Sequence, residues 1–290
     1  MDESNQIIVL DNLITGDLKN IEKYKEFSNF KFVEHDIQES IYFDEKIDYV
    51  VHLASCASPK AYAKYPINTL KSGSIGTINA LGISKYHNAK FFLASTSEIY
   101  GDPEISPQNE EYWGNVNILG PRSMYDESKR FAESATHSYI TTHNLNGNIA
   151  RIFNTYGPNM QIDDGRVVTN FIYQALKGKE VTIYGNGEQT RSFSYIEDTL
   201  DGILKIIHHE ESDVFNIGND NEVTIKYLAE KIIELTNSNS KIVYHELPIN
   251  DPKQRKPDLT KAKELLNYKP KTSLEDGLKL TIDWISANYK

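Results

Sequence analysis

Short apolar runs that alternate with helix-like stretches are the feature of this 290-residue sequence that most restricts its fold. The runs are almost continuously apolar, which is typical of parallel strands that are buried on both faces of a sheet. We predict strands at residues 7–10, 31–34, 49–53, 91–94, 148–153 and 214–217, and helices at residues 66–86, 123–144, 167–176, 225–235 and 274–286. This order predicts an α/β fold with a doubly wound parallel sheet.

Polar residues follow several of these runs, among them Asp11, Asp36 and residues 95–98. Because ligands bind beyond the carboxyl ends of the strands in such sheets, we expect the functional site there. We assign residues 1–160 to a cofactor-binding domain and residues 161–290 mainly to a smaller substrate-binding lobe. Within the second range, residues of about 192–217 are expected to return to the sheet.

The first strand lacks the glycine-rich turn that normally opens a Rossmann-like dinucleotide fold. The first glycine of the chain is Gly16, which comes too late for that role. The run at residues 7–10, which ends in Asp11, resembles instead the second strand of such a fold. We therefore expect a Rossmann-like sheet that lacks its first βα unit because the start is incomplete, with weak NAD binding as the alternative.

Composition narrows the classes of function. The net charge of −10 argues against nucleic-acid binding. Cys56 is the single cysteine, so neither an internal disulfide nor a cysteine-based metal site is expected. No apolar run approaches the roughly 20 residues of a membrane span, and the acidic, polar start does not predict a signal peptide. We therefore expect a cytoplasmic protein with no membrane partner.

Tyr125 and Lys129 are four residues apart, which places them on one face of a predicted helix. An ammonium group near a phenol lowers the pKa of the phenol, so that the tyrosine can remove a proton from a hydroxyl. This pair is common by chance when it stands alone. Here residues 93–101 precede it and residues 151–158 follow it, each as a strand with a polar end. That order is the layout of a short-chain dehydrogenase/reductase site.

The whole chain from about residue 7 resembles UDP-glucuronate decarboxylases (UDP-xylose synthases) of the NAD-dependent epimerase/dehydratase family. The resemblance rests on HLAS at 52–55, ASP at 57–59, STSEIYGDPE at 95–104, YWG at 112–114, GPR at 120–122, YDESKR at 125–130, GRVV at 165–168, YG at 184–185, QTR at 189–191 and RKPD at 255–258. It implies NAD-dependent decarboxylation of UDP-glucuronate to UDP-xylose through a 4-keto intermediate, with NAD regenerated in each turnover.

The resemblance also implies roles for individual residues. The catalytic residues would be Tyr125 as the base, Lys129 as its support, Thr96 or Ser97 on the reacting oxygen, Glu98 in decarboxylation or reprotonation, and Arg255 near the substrate carboxylate and phosphates. NAD would be held by Asp11, Asn12, Asp36, Ile37, Leu53, Ala54, Ser55, Tyr125 and Lys129. The nucleotide sugar would contact Tyr62, Asn154, Arg166, Tyr184, Gln189, Arg191 and Arg255. A homodimer would form through the helices at residues 66–86 and 123–144.

Two positions depart from the family pattern, since Gly73 replaces an asparagine and Cys56 replaces a proline. Other functions also stay open. A 4-epimerase would not need Arg255 near a carboxylate, and a 4,6-dehydratase usually has Asp-Glu after the threonine, where this chain has Ser97-Glu98. A third possibility is a catalytically impaired nucleotide-sugar-binding protein, because the glycine-rich turn is missing.

Overall fold

The computed structural model describes residues 5–247 and 254–289. The strands are β1 Ile7–Asp11, β2 Phe30–Glu34, β3 Tyr49–His52, β4 Lys90–Thr96, β5 Gly147–Ile152, β6 Thr155–Tyr156, β7 Val181–Tyr184, β8 Thr190–Ser192, β9 Ser194–Tyr195, β10 Val214–Ile217, β11 Glu222–Thr224, β12 Ile242–His245 and β13 Gln254–Arg255. The α-helices are α1 Pro59–Lys64, α2 Pro66–Lys71, α3 Thr77–His87, α4 Ser123–His143, α5 Val167–Leu176, α6 Ile196–His208, α7 Ile225–Leu235, α8 Thr260–Leu266 and α9 Leu274–Asn288. A π-helix, Ser72–Gly76, joins α2 to α3.

A four-stranded parallel sheet in the order β10-β5-β4-β3 forms the centre of the fold. In its register Ser95 of β4 lies opposite Arg151 of β5, so the polar ends of neighbouring strands meet at one edge. Strands β1 and β2 pair with each other in a separate two-stranded parallel sheet. The strand predictions are confirmed, because each predicted run is a strand whose ends lie within two residues of the expected ones.

The near-continuous apolar character of β4 reflects burial on both faces. Phe91 and Leu93 belong to a core cluster with helix α3, whereas Phe92 packs with Phe215 and the residues of α6 and α8. Successive side chains of a strand point to opposite faces, so a strand covered on both sides must be apolar at every position. Helix α6, which covers one face, was not among the predicted helices.

A second core holds together the part of the chain around α5, α7 and α9. Phe171, Ile183, Leu228 and Leu278 are almost fully buried within it. Nearby, β13 pairs with β8, which brings Arg255 next to Arg191 in register. The chain between the two cores returns to the central sheet, because β10 pairs with β5.

The helix predicted over residues 66–86 is not a regular α-helix, since its middle turn is the π-helix Ser72–Gly76. A π-turn inserts an extra residue and shifts the following helical face. Gly73 lies in this turn against α4, where a Cβ added to the glycine would come within 2.6 Å of the Ser128 Cβ and 2.7 Å of the Ser128 carbonyl oxygen. The absence of a side chain at Gly73 therefore allows the close approach of α4, which carries Tyr125.

Replacing Gly73 by alanine is expected to lower the free energy of unfolding by about 1–3 kcal/mol, because the new methyl group must displace the backbone of α4. Urea denaturation monitored by circular dichroism measures this change. Gly82→Ala in α3 is the matched control, since its Cβ would meet nothing within 4 Å. That control is expected to be neutral or stabilising, and equal stability of both variants would contradict the packing argument.

Within residues 5–247 and 254–289, no helix combines the length and the apolar character that a bilayer span requires. The same part of the chain contains no group of three or more His, Cys, Asp or Glu side chains placed to hold a metal ion.

Candidate active site

A cleft of about 780 Å³ opens between the carboxyl ends of the central strands and the lobe around α5. This volume is within the range of sites that enclose small molecules. The sequence-predicted residues on its wall are Leu53, Ser55, Tyr62, Thr96, Ser97, Glu98, Tyr125, Lys129, Asn154, Arg166, Tyr184, Gln189, Arg191 and Arg255. Residues from both halves of the chain therefore meet in one cavity.

Tyr125 and Lys129 lie one turn apart on the buried face of α4. The Lys129 ammonium donates a hydrogen bond of 2.7 Å to the carbonyl oxygen of Ala94, which anchors it to the end of β4. The ring of Tyr62 stacks on the ring of Tyr125 with 5.3 Å between their centroids and 16° between their planes. These contacts hold the phenol in one orientation at the cleft wall.

The electrostatics of the phenol differ from the sequence-based expectation. Burial raises the pKa of Tyr125 to about 12, although a hydrogen bond with the Thr96 side chain opposes that rise. Burial also lowers the pKa of Lys129 to about 8. The expected lowering of the phenol pKa by Lys129 is absent in this structure, because desolvation of the phenolate outweighs the nearby charges.

Glu98 stands at the centre of a charged cluster, which we call the Glu98 cluster and which comprises Glu98, Arg122 and Arg255. The Thr96 side-chain oxygen accepts a hydrogen bond from the backbone N–H of Glu98 and so caps the short helical turn that carries Glu98. The two Glu98 carboxylate oxygens bind different guanidinium groups, one that of Arg255 and the other Arg122 Nη2 at 2.6 Å. Burial opposes ionisation of Glu98, but both arginines outweigh it and hold its pKa below the usual range. Glu98 is therefore ionised at neutral pH.

Arg255 is almost completely buried, with 3% of its surface exposed. Besides its bond to Glu98, it donates a 3.1 Å hydrogen bond through Nη2 to the carbonyl oxygen of Gly101. Arg255 is therefore bonded to two protein groups at the cleft wall, the Glu98 carboxylate and the Gly101 carbonyl oxygen. Its contact with a substrate carboxylate stays a prediction.

Among the predicted substrate residues outside the Glu98 cluster, Arg166 and Gln189 also bond to protein groups at the cleft. Arg166 forms a 2.8 Å ion pair with Asp164 and donates to the carbonyl oxygen of Ala57 at 3.2 Å, which links the lobe to the loop after β3. Gln189 donates through Nε2 to the carbonyl oxygen of Tyr184 at 2.5 Å. These contacts stiffen the segments that would face a nucleotide.

The predicted adenosine residues lie together at the carboxyl ends of β1 and β2, apart from the cleft wall described above. Asn12 donates through Nδ2 to the Asp36 carboxylate at 3.0 Å, and Asp11 accepts a 2.7 Å hydrogen bond from the N–H of Leu13. The loop after β1 reaches the lobe, because Gln161 donates to the carbonyl oxygen of Thr15 at 2.8 Å.

Ile37 and Ala54 are the remaining predicted cofactor residues. The carbonyl oxygen of Ile37 accepts a 2.8 Å hydrogen bond from Asn79, and its side chain packs against Gly76. Ala54 is exposed after β3. Their contacts with NAD stay predictions.

Arg122 and Asp126 were not among the predicted site residues. Both flank Tyr125, and Arg122 precedes it by three residues, a spacing that places the two side chains on neighbouring parts of one helix face. This spacing was the available signal, but it does not indicate that Arg122 reaches Glu98.

The α/β fold, with a Tyr/Lys pair on a helix beside the strand ends, defines the class of short-chain dehydrogenases/reductases. The family model described as GDP-mannose 4,6 dehydratase matches residues 3–281. UDP-glucuronic acid decarboxylase 1 of Xenopus tropicalis is 45% identical over 284 residues, which cover 98% of this chain and 67% of the relative. UDP-glucuronic acid decarboxylase 5 of Arabidopsis thaliana is 48% identical over 278 residues, which cover 96% and 81%. The chain belongs to the UDP-glucuronic acid decarboxylase family, so the resemblance seen in the sequence is confirmed.

Solved structures of related enzymes share the fold. The UDP-glucose 4-epimerase of Thermotoga maritima with UDP-glucose superposes with a TM-score of 0.89 at 30% identity, over 98% of this chain and 91% of that one. The UDP-glucuronic acid 4-epimerase of Bacillus cereus, in complex with UDP-glucuronic acid and NAD, gives 0.86 at 26% identity, over 99% and 93%. The predicted Rossmann-like architecture is therefore confirmed.

Proposed function

We propose that this chain is a NAD-dependent UDP-glucuronate decarboxylase, a carboxy-lyase that makes UDP-xylose. The observation that carries the proposal is that one cleft wall holds both the Tyr125–Lys129 pair and the Glu98 cluster. The first is suited to oxidation at a hydroxyl, and the second places guanidinium groups where an acidic sugar would lie. Membership of the decarboxylase family supports the same reaction.

The residues of the chain fit NAD at two places. Lys129, Tyr125 and Ser55 would hold its nicotinamide ribose end, and the Ser55 hydroxyl is buried with no hydrogen-bond partner in the described part of the chain. Asp11 would bind the adenosine ribose, where a carboxylate favours NAD over NADP by repelling a 2′-phosphate. NAD supplies reversible acceptance of a hydride from C4 of the sugar.

The side chains account for the proton transfers and for the loss of CO2. Tyr125 takes the proton of the C4 hydroxyl, and Thr96 or Ser97 holds the same oxygen. Lys129, one turn away on α4, is mostly protonated at neutral pH and would hold the nicotinamide ribose beside Tyr125. The resulting C4 ketone is β to the C6 carboxylate, so the electron pair of the C5–C6 bond can move into the ketone as CO2 leaves. Tyr125 then returns its proton to the C4 oxygen when the ketone is reduced.

The two parts of the chain would bind different ligands, with residues 1–160 and about 192–217 holding NAD and residues 161–290 mainly holding the nucleotide sugar.

A homodimer would form through α2, α3 and α4, which expose apolar side chains at Ile67, Ile78 and Phe131. The molar mass from light scattering tests this assembly. We place the enzyme in the cytoplasm.

Incubation of the purified protein with UDP-glucuronate, with and without NAD, tests the function. Mass spectrometry of the nucleotide sugar is expected to show the loss of CO2 in the presence of NAD. A product of unchanged mass with inverted C4 would indicate the 4-epimerase, which the Bacillus cereus neighbour makes the relevant alternative. Binding of UDP-glucuronate without any conversion would contradict catalysis by this chain.

A further inference from the structure

A second, smaller cavity lies behind the Glu98 cluster, and we call it the side chamber. Its wall consists of Glu98, Gly101, Asp102, Asn115, Asn117, Gly120, Arg122, Asp126 and Arg255. Three of these residues, namely those of the Glu98 cluster, also line the main cleft, so the two spaces adjoin at the cluster. The side chamber has a volume of about 50 Å³, well above the roughly 10–15 Å³ that one ordered water needs.

Asp126 and Arg255 of this wall carry buried polar atoms whose hydrogen-bonding capacity is not met by the described part of the protein. Asp126 is 7% exposed, and its Oδ1 has no hydrogen-bond partner among the described residues. The Nε of Arg255 also has no hydrogen-bond partner within that part of the chain. Buried polar atoms are almost always satisfied by protein or by ordered water, and the adjoining chamber has room for water.

The charges around Asp126 favour its protonated form. Burial is the largest cause, Glu98 adds repulsion from the turn after β4, and Glu127 adds repulsion from α4. Arg122 at the start of α4 and Arg255 on β13 oppose these effects. Together they raise the pKa of Asp126 to about 7, so this carboxyl group carries a proton in a large share of molecules at neutral pH. Tyr62 of α1 and Tyr125 of α4 also interact with the Asp126 charge, and both stay neutral because burial raises their pKa values to about 12. Asp102 shares the chamber wall.

The proposed decarboxylation needs a proton source of this kind. When CO2 leaves, the electron pair of the C5–C6 bond forms an enolate, and C5 must then bind one proton. Tyr125 must keep the proton taken from the C4 hydroxyl for the later reduction, and Glu98 is ionised. Lys129 is turned toward the Ala94 carbonyl. Asp126 is a buried acid next to the Glu98 cluster, and its Oδ1 has no hydrogen-bond partner among the described residues.

We propose that ordered water fills the side chamber and that Asp126 uses this water to deliver the proton to C5 after CO2 has left. The inference rests on the proposed decarboxylase function. Asp126 loses one proton to the water chain, the water chain gives one proton to C5, and solvent reprotonates Asp126. The sum is the uptake of one proton and the release of one CO2 in each turnover, with no external oxidant or reductant.

The isosteric variant Asp126→Asn tests this role, with Glu127→Gln on the same helix as the matched control. We expect Asp126→Asn to release CO2 about 10²-fold more slowly at neutral pH, the lower end of the contribution of a positioned acid. The wild type is expected to lose activity as the pH rises through about 7, because Asp126 gives up its proton there. This loss of activity should be absent from Asp126→Asn. In Glu127→Gln it should remain but occur at a lower pH, because the Glu127 charge contributes to the raised pKa of Asp126. A second loss of activity near pH 8, from Lys129, should be common to all three proteins.

Two further measurements separate this role from a structural one. In D2O the wild type is expected to place deuterium at C5 with one stereochemistry, and Asp126→Asn is expected to give a mixture. Infrared difference spectra should show a protonated carboxyl that titrates near neutral pH in the wild type and at a lower pH in Glu127→Gln but is missing from Asp126→Asn. This titration does not depend on turnover, so it tests Asp126 even if no CO2 is released, an outcome that would count against the decarboxylase function alone. The proposal would be overturned if Asp126→Asn still lost activity as the pH rises through about 7 and still placed deuterium at C5 with one stereochemistry. It would also be overturned if the wild type showed no carboxyl that titrates near neutral pH.

Discussion

Tyr125→Phe is expected to lower the rate of CO2 release from UDP-glucuronate by about 10²–10⁴-fold, the range that a positioned general base contributes. Phenylalanine keeps the ring that stacks on Tyr62 but removes the oxygen that takes the C4 proton. Without this transfer the C4 ketone does not form, and the carboxylate has no neighbouring carbonyl to accept its electrons. Single-turnover assays with NAD, followed by mass spectrometry, measure the loss.

Tyr139→Phe is the matched control for this prediction. Tyr139 lies on the same helix as Tyr125 but packs against His143, away from the cleft. This variant should have the wild-type rate, and both variants should show the wild-type circular dichroism spectrum. A Tyr125→Phe protein that decarboxylates at a similar rate would exclude Tyr125 as the base.

Glu98→Gln is expected to reduce both stability and activity. Glu98 separates two guanidinium groups, and its side chain is only 14% exposed. Loss of the carboxylate leaves Arg122 and Arg255 close together without the charge that holds them. Removal of one partner from a buried ion pair typically costs about 3–5 kcal/mol, and we expect a loss of this order in the free energy of unfolding at pH 7.

The pH dependence gives a sharper test of Glu98, because its pKa is lower in the folded protein than in the unfolded chain. A depressed carboxyl pKa contributes stability that is fully present above the unfolded value of about 4.3 and is lost as the pH falls through the folded value. The stability difference between the wild type and Glu98→Gln should therefore shrink as the solution is acidified below that unfolded value. Urea denaturation over an acid pH series measures it.

Glu275→Gln provides the control for both experiments on Glu98. Glu275 pairs with Lys279 at 2.7 Å on the surface of α9, where both side chains are about half exposed. Solvent screens such a pair, so its loss should leave the unfolding midpoint unchanged. If the unfolding midpoint of Glu98→Gln also equals that of the wild type, the Glu98 cluster does not stabilise the fold.

The strands could be predicted because their physical cause is local. Continuous apolar residues such as Phe91 and Phe92 are required wherever helices cover both faces of a sheet, and this pattern needs no knowledge of distant contacts. The Tyr125–Lys129 pair could be predicted for the same reason, since the helical repeat alone puts the two side chains on one face. The π-helix around Gly73 could not be predicted from the sequence, because it occurs where this segment packs closely against α4, a contact between residues far apart in the chain.

The sequence by itself determined the order of strands and helices, the family and the pair that carries the proton chemistry. Only the tertiary structure decided how the charges are arranged. Glu98 and Arg255 are 157 residues apart. They meet because β13 pairs with β8 and because the N–H of Gln108 donates to the carbonyl oxygen of Lys256 at 2.8 Å, which ties the segment after Arg255 to the loop after Glu98. The same packing encloses Asp126 in the side chamber and raises the pKa of Tyr125 instead of lowering it. Burial and long-range pairing depend on the folded chain as a whole, so no local pattern in the sequence indicates them.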